Sequence, residues 1–373
     1  MAGLVGCGGE GPPVEEPPKV VEAACEGRFV ERLDDGGCAA VEVLSIRHEA
    51  VVFERDGYPL HGVLTLPETA GQRRAPAVVL VHGSGPHGTS GTLEGSLGVP
   101  FDAPVAVYTS LAEQLAWRGV AVLRYEKRSC FAEVVPECSQ SVADYPASPH
   151  SIVVDDFVED ARAAARHAAS RPEIRPFDVI VAGHSQGGSF VPHLVASEAV
   201  VSGGIGLAAP ALPLVETLPG QIEVFAEHLE ALDATLYAST IEELRATAAQ
   251  FREELPAVLD GTHPEPTYLG ASLAFWQSFA HWTDRPASDL ALVDEPLLYV
   301  SGALDFNVWP EHLAQYAAWG GATLETELFA GVTHAFVPVV SGIPPIDHVI
   351  EPTFSVAVVD RIEGWLRDTE TSD

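Results

Sequence analysis

Positive charge is what this sequence most lacks. Its 20 Lys and Arg face 53 Asp and Glu, leaving a net charge of −33. A field of that sign repels phosphates, so nucleic acid and anionic membrane surfaces are excluded as partners. Neutral or weakly charged small molecules suit it better. No apolar run approaches the roughly 18 consecutive residues that a membrane span needs. No Cys/His cluster has zinc spacing. Neither a Walker A loop nor a Gly-x-Gly-x-x-Gly after a strand is present, so no metal and no cofactor are expected. Internal repeats are lacking too. Cysteine is sparse, at Cys7, Cys25, Cys38, Cys130 and Cys138. Proximity pairs Cys25 with Cys38 and Cys130 with Cys138 and leaves Cys7 over. Such bridges imply an oxidising compartment.

What is present describes a globular chain. Its 373 residues are 47% hydrophobic with a mean hydropathy of +0.14. That length suits one large α/β domain or a domain with an insertion. The first 26 residues are rich in Gly, Pro and Glu, and residues 1–40 read as a disordered or tethering segment. Thereafter strand and helix patterns alternate, which predicts a mostly parallel sheet with helices on both faces. Residues 41–46 and 50–55 read as a strand pair, with Leu60–Leu66 continuing it beyond a turn at Asp56-Gly57. The apolar runs 77–81, 120–125, 179–182, 204–209 and 297–301 read as buried strands, and 322–329 as a further strand. Residues 87–104 read as a glycine-rich loop, and 127–150 as a long loop pinned by Cys130 and Cys138.

The pattern changes over 212–290. Ile222, Phe225, Leu229, Leu232 and Leu236 form one helical stripe; Ile241, Leu244, Ala248, Phe251 and Leu255 form another. Thr240 and Glu243 read as a capping box ahead of the second. A third segment carries Phe275, Trp276, Phe279 and Trp282. This region reads as a helical cap inserted into a core made of 41–211 and 291–373. The four aromatics are candidates for substrate binding, although such residues more often form a cap's own core.

The chemistry centres on Gly183-His184-Ser185-Gln186-Gly187-Gly188. These residues lie between an apolar strand and a helix. A Gly-x-Ser-x-Gly turn there projects a serine hydroxyl clear of the backbone, and Gly183 and Gly187 avoid the collisions that side chains would cause. A serine nucleophile needs a base and an acid. Asp305 lies just beyond the 297–301 strand and His334 in the loop after the next one, so both emerge at one sheet edge. His334 would take the Ser185 proton, and Asp305 would fix its tautomer. Asp294 and Glu295 precede the strand and sit at its wrong end. His184 reads as packing under the turn, and His82 as shaping a loop. The oxyanion donors expected are the N–H groups of Gln186 and of Ser84. Ser84 lies in His82-Gly83-Ser84-Gly85, where Gly83 lets the backbone approach the substrate.

These segments, with Val122 through Arg128 and Gly331 through His334, resemble the α/β-hydrolase superfamily from about residue 58 to 368. The likeness is to bacterial serine carboxylesterases near the dienelactone-hydrolase and acyl-peptidase-like branch. Members of that branch often have Tyr-Asp-Lys-Arg-Gly where this chain has Tyr125-Glu126-Lys127-Arg128-Ser129. The resemblance implies an α/β-hydrolase fold, a Ser185/Asp305/His334 triad and hydrolysis of small-molecule carboxylic esters. Acyl-CoA thioesterase or small acyl-peptide hydrolase activity are the alternatives within the superfamily, and a catalytically inactive binding protein is the alternative outside it. Leu4-Val5-Gly6-Cys7 resembles the cleavage box of bacterial lipoproteins, whose cysteine is lipidated, although no basic or long apolar region precedes it. The expectation is an exported location, with lipid on Cys7 as its membrane contact; a cytoplasmic location is the alternative. Oligomeric state is left open.

Overall fold

The apolar runs Ala75–Val81 and Ala121–Tyr125 bury every side chain, as strands covered on both faces require. The computed structural model describes residues 28–32, 38–69, 73–96, 99–340 and 348–370. Its main sheet has eight strands: β1 (Val43–Arg55), β2 (Tyr58–Thr69), β3 (Ala75–Val81), β4 (Ala121–Tyr125), β5 (Ile174–His184), β6 (Val201–Leu207), β7 (Leu297–Leu304) and β8 (Leu324–Thr333). Their spatial order is β1-β2-β4-β3-β5-β6-β7-β8. Strands β3 to β8 run parallel, and β2 pairs antiparallel with both β1 and β4. All six parallel strands therefore end at one edge, where open α/β sheets place their ligands.

Alternation along β3 feeds two cores. Ala77, Val79 and Val81 pack on one face with α2 (Val154–Ser170), α3 (Gln186–Ser197) and α8 (Pro310–Trp319). Val78 and Leu80 pack on the other with α1 (Val107–Ala116) and α9 (Val356–Asp368). This is the α/β-hydrolase fold anticipated from the sequence.

Asp56 and Gly57 both have positive φ, at 53° and 76°, as a two-residue turn between twisted strands demands. Residues 41–46 and 50–55 are not a pair, however. From Val43 onward they form the single strand β1, whose partner is β2 throughout. The segment expected as a loop over 87–104 contains an antiparallel ladder of Thr92–Ser96 with Val99–Ala106.

The loose segment expected over 1–40 does not hold for its described part. Residues 1–27 lie outside the described residues, as do Cys7 and Cys25. Val30–Arg32, though, pairs with Cys38–Ala40. Arg28 donates to Asp178 Oδ1 at 2.8 Å and to Leu366 O at 2.7 Å, and Phe29 is buried. These partners lie far along the chain, which is why composition alone suggested a loose segment.

The region after β6 holds α4 (Leu214–Asp233), α5 (Ala238–Asp260), α6 (Leu273–Asp284) and α7 (Pro286–Leu290). A two-residue ladder, Thr267–Tyr268 with Ala271–Ser272, interrupts the helices. Phe225 and Leu229 are buried, whereas Leu232 and Leu236 are 40% and 69% exposed. Leu236 lies beyond the end of α4 at Asp233, and Leu232 sits in its last turn. Thr240 lies inside α5, whose N-cap is Tyr237, so the capping box does not form. Helix α6 seats on α2 through Phe275 against Phe157 and through Asp155 N–H to Ser278 Oγ at 3.1 Å.

Candidate active site

Strand β5 runs into the elbow with Asp178–His184 buried and stops at Ser185, and α3 begins at Gln186. Ser185 has φ 52° and ψ −122°. Such a conformation costs a side-chain-bearing residue about 1–3 kcal/mol and persists only when its surroundings enforce it. Ser185 N–H donates to Leu207 O, and Gly188 N–H to Ser185 O, each at 2.8 Å. The flanking glycines are required by space. A Cβ on Gly183 would strike the Gly187 carbonyl, and one on Gly187 would lie 2.5 Å from Val81 O.

Asp305 and His334 leave the same sheet edge, directly after β7 and β8. His334 Nδ1 donates to Asp305 Oδ2 at 2.8 Å. Asp305 Oδ1 accepts from the N–H groups of Asn307 at 2.9 Å and Val308 at 2.8 Å. The carboxylate is buried and held from both sides, and it leaves Nε2 as the His334 nitrogen able to exchange a proton. Asp294 and Glu295 precede β7, at the opposite end of the strand. The His334 ring lies against that of His184, centroids 4.8 Å apart. Among the described residues, the hydrogen bonds of His334 run to Asp305 and, through its carbonyl, to His184. None reaches Ser185, and such bonds are often long until substrate binds.

The loop after β3 passes beside the elbow. A Cβ built on Gly83 would lie 3.1 Å from Ser185 Cβ. Among the described residues, the N–H groups of Ser84 and Gln186 have no hydrogen-bond acceptor, so both donors are available to a ligand. His184 and His82 are both buried, and burial foremost holds each well below the usual imidazole range. Both are neutral side chains of the scaffold.

A cavity of about 730 Å³ opens beside this loop. It meets the site at Ser84 and Lys127 and is walled by Phe131, Phe157, Phe275, Trp276 and Phe279. Three of the four aromatics singled out in the sequence thus line it. Trp282 does not: it is 5% exposed and packs edge-on against Phe190. Its helical spacing from Phe279 turns it toward the core. Phe131 and Val134 belong to the Cys130–Cys138 loop, where the disulfide is present with Cα atoms 5.8 Å apart. Sequence reasoning missed Tyr108, whose hydroxyl lies between the Gly83 N–H and His184 Nδ1, as well as Phe157 and any role for Lys127. The sequence signals for Lys127 were its place in the Tyr125–Ser129 segment, which resembles Tyr-Asp-Lys-Arg-Gly, and its position just after a buried strand.

Residues 78–341 match the model of the alpha/beta hydrolase family. The chain is similar to esterase EstD of Thermotoga maritima, with 27% identity over 316 residues, covering 82% of this chain and 65% of that protein. It resembles the structure of Est1E from Butyrivibrio proteoclasticus with ferulic acid bound, at TM-score 0.51 and 14% identity over 86% of this chain and 99% of that one. It also resembles the alpha/beta hydrolase GrgF from Penicillium sp. sh18, at TM-score 0.51 and 17% identity over 87% and 99%. At those identities the structural likeness is one of fold.

Proposed function

This chain belongs to the alpha/beta hydrolase family, and from that premise we propose that it is a serine esterase that cleaves small carboxylic esters through an acyl-enzyme on Ser185. The observation that carries the reading is the Asp305–His334 pair, joined at 2.8 Å, at the same sheet edge as the strained turn bearing Ser185. An esterase relative at 27% identity supports it.

In this reading His334 Nε2 takes the Ser185 proton as Oγ attacks the ester carbonyl. The developing oxyanion is received by the unoccupied N–H groups of Ser84 and Gln186, each worth about 3 kcal/mol in such sites. His334 passes its proton to the leaving alcohol. Water then repeats the sequence on the acyl-enzyme, releasing the acid and restoring Ser185. Asp305 holds the imidazole in the needed tautomer throughout.

The apolar cavity between core and cap is assigned to the acyl or alcohol group, and its aromatic walls favour an aromatic or branched one. Residues 212–290 act as the cap over a core of 41–211 and 291–373. The net charge of −33 stands against acyl-CoA, whose carrier bears phosphates. The Cys130–Cys138 bridge supports an exported location. Turnover of p-nitrophenyl butyrate by the wild type and by Ser185→Ala tests the proposal. Hydrolysis that vanishes with the hydroxyl supports it; equal turnover by a folded Ser185→Ala removes it.

A further inference from the structure

Lys127 is a buried lysine with no carboxylate partner among the described residues. It follows β4 at the sheet edge, next to the end of β3, and is 4% exposed. Its ammonium group has three N–H donors, and three neighbours receive them. Nζ lies 2.6 Å from Gly83 O and 3.0 Å from Gln186 Oε1. It also sits 4.2 Å from the centroid of the Phe157 ring, a cation–π contact. Burial of this kind is expensive and needs a reason.

The two hydrogen-bond partners supply one. Gly83 O belongs to the same peptide group as the Ser84 N–H. In a planar trans peptide the carbonyl and the N–H point in opposite directions. Pinning the carbonyl on one side therefore aims the Ser84 N–H to the other. A hydrogen bond to the carbonyl also polarises the peptide, which makes its N–H a stronger donor. Gln186 contributes the second unoccupied N–H. The lysine thus ties together the loop and the helix head that carry the two donors.

We infer that Lys127 is a positioning residue for the oxyanion hole, holding the Gly83–Ser84 peptide and the head of α3 in the orientation that receives a developing oxyanion. The inference rests on the esterase reading above. The charge adds a favourable potential close to where negative charge forms. Burial alone pushes the ammonium down to about 7, so its retention weakens the fold while it serves the site.

That conflict separates positioning from ordinary structure. Lys127→Met keeps the aliphatic stem against Phe157 and removes the donors. On p-nitrophenyl butyrate, kcat is expected to fall about 10- to 100-fold with KM within about threefold, since a hole donor acts mainly in the transition state. Fluorophosphonate labelling of Ser185 slows in proportion. Over the same change the melting temperature stays within a few degrees of wild type or rises, because a buried charge is lost. A Lys127→Met protein that is unfolded or strongly destabilised makes the lysine a structural element and overturns the inference. So does unchanged kcat, or a loss confined to KM. A wild type that neither hydrolyses esters nor is labelled at Ser185 removes the esterase reading and this inference with it. A working wild type matched by its Met variant removes this inference alone.

Discussion

His184 Nε2 lies 3.0 Å from the carbonyl oxygen of His334. The residue before the proposed nucleophile thereby grips the backbone of the proposed base. The other ring nitrogen, Nδ1, lies 3.0 Å from the Tyr108 hydroxyl, which accepts from the Gly83 N–H at 3.4 Å. A neutral imidazole has one donor and one acceptor, and both are used here. A single chain of hydrogen bonds therefore runs from the oxyanion loop, under the elbow, to the histidine loop.

Tyr108→Phe cuts that chain while keeping the ring. We expect kcat to fall about tenfold with little change in KM, and stability to fall by about 1–3 kcal/mol, because the hydroxyl's two buried hydrogen bonds are lost and their partners are left unpaired. Steady-state kinetics and urea unfolding measure the two effects. An unchanged kcat would show that the chain does not position the site.

Trp276 and Trp282 are six residues apart on one helix and should respond differently. Trp276 lines the cavity and donates to Tyr268 O at 2.8 Å. Trp282 packs on Phe190 in the core. Trp276→Leu is expected to raise KM for aromatic esters by about tenfold relative to acetate esters, through lost apolar contact. Trp282→Ala is expected to cost about 3–5 kcal/mol of stability with the ester preference unchanged. An ester panel run on both variants decides this, and identical preferences would contradict the cavity assignment.

Acid should unfold this protein by way of the buried His312 and the half-buried His87, both neutral in the fold. Burial foremost holds His312 down to about 3 and His87 down to about 4, from an ordinary 6.5. The unfolded chain takes up these protons first, so their contribution is complete above about 6.5 and is lost as pH falls toward 3. His312 Nδ1 accepts the N–H of Ala211 at 2.8 Å and of Leu212 at 3.2 Å, and protonation would remove that acceptor. Urea midpoints measured from pH 7 to pH 4 should fall. His312→Asn, which keeps an acceptor without titrating, should fall less steeply; an identical slope would exclude His312 as a contributor.

The Cys130–Cys138 bridge closes a short loop whose Phe131 and Val134 face the cavity. Glu126 braces the same loop by accepting from Ser139 N–H at 2.8 Å and Ser139 Oγ at 2.7 Å. Replacing both cysteines with serine should cost about 2 kcal/mol and raise KM for bulky esters more than for acetate. Thermal unfolding and the ester panel read the two effects. Loss of stability with unchanged ester selectivity would mean the loop supports the fold without shaping the pocket.

The sheet was legible because parallel strands buried on both faces read as continuous apolar runs; Ser185 and Asp305 each follow one, whereas His334 follows the half-exposed edge strand β8. Their shared edge is a consequence of topology. Legibility ended where residues depend on distant partners. Arg28 and Phe29 looked like tether until Asp178 and Leu366 came beside them. The first half of β5 was hidden because Arg175, Pro176 and Phe177 interrupt its apolar run, and Phe177 bulges out at φ 56°. The Lys127–Gly83 bond joins residues 44 apart, brought together only because β4 and β3 pair. Trp282 was misplaced because a helical stripe gives spacing without saying which neighbour each face meets.

Ser185 is proposed as a nucleophile activated by His334. Incubation of the intact protein with a fluorophosphonate, followed by peptide mass mapping, tests it most directly. One phosphonyl group is expected, carried by the peptide containing Ser185, with labelling lost in Ser185→Ala and slowed at least about 100-fold in His334→Ala. Labelling at another residue, or equally fast labelling of Ser185 without His334, would contradict it.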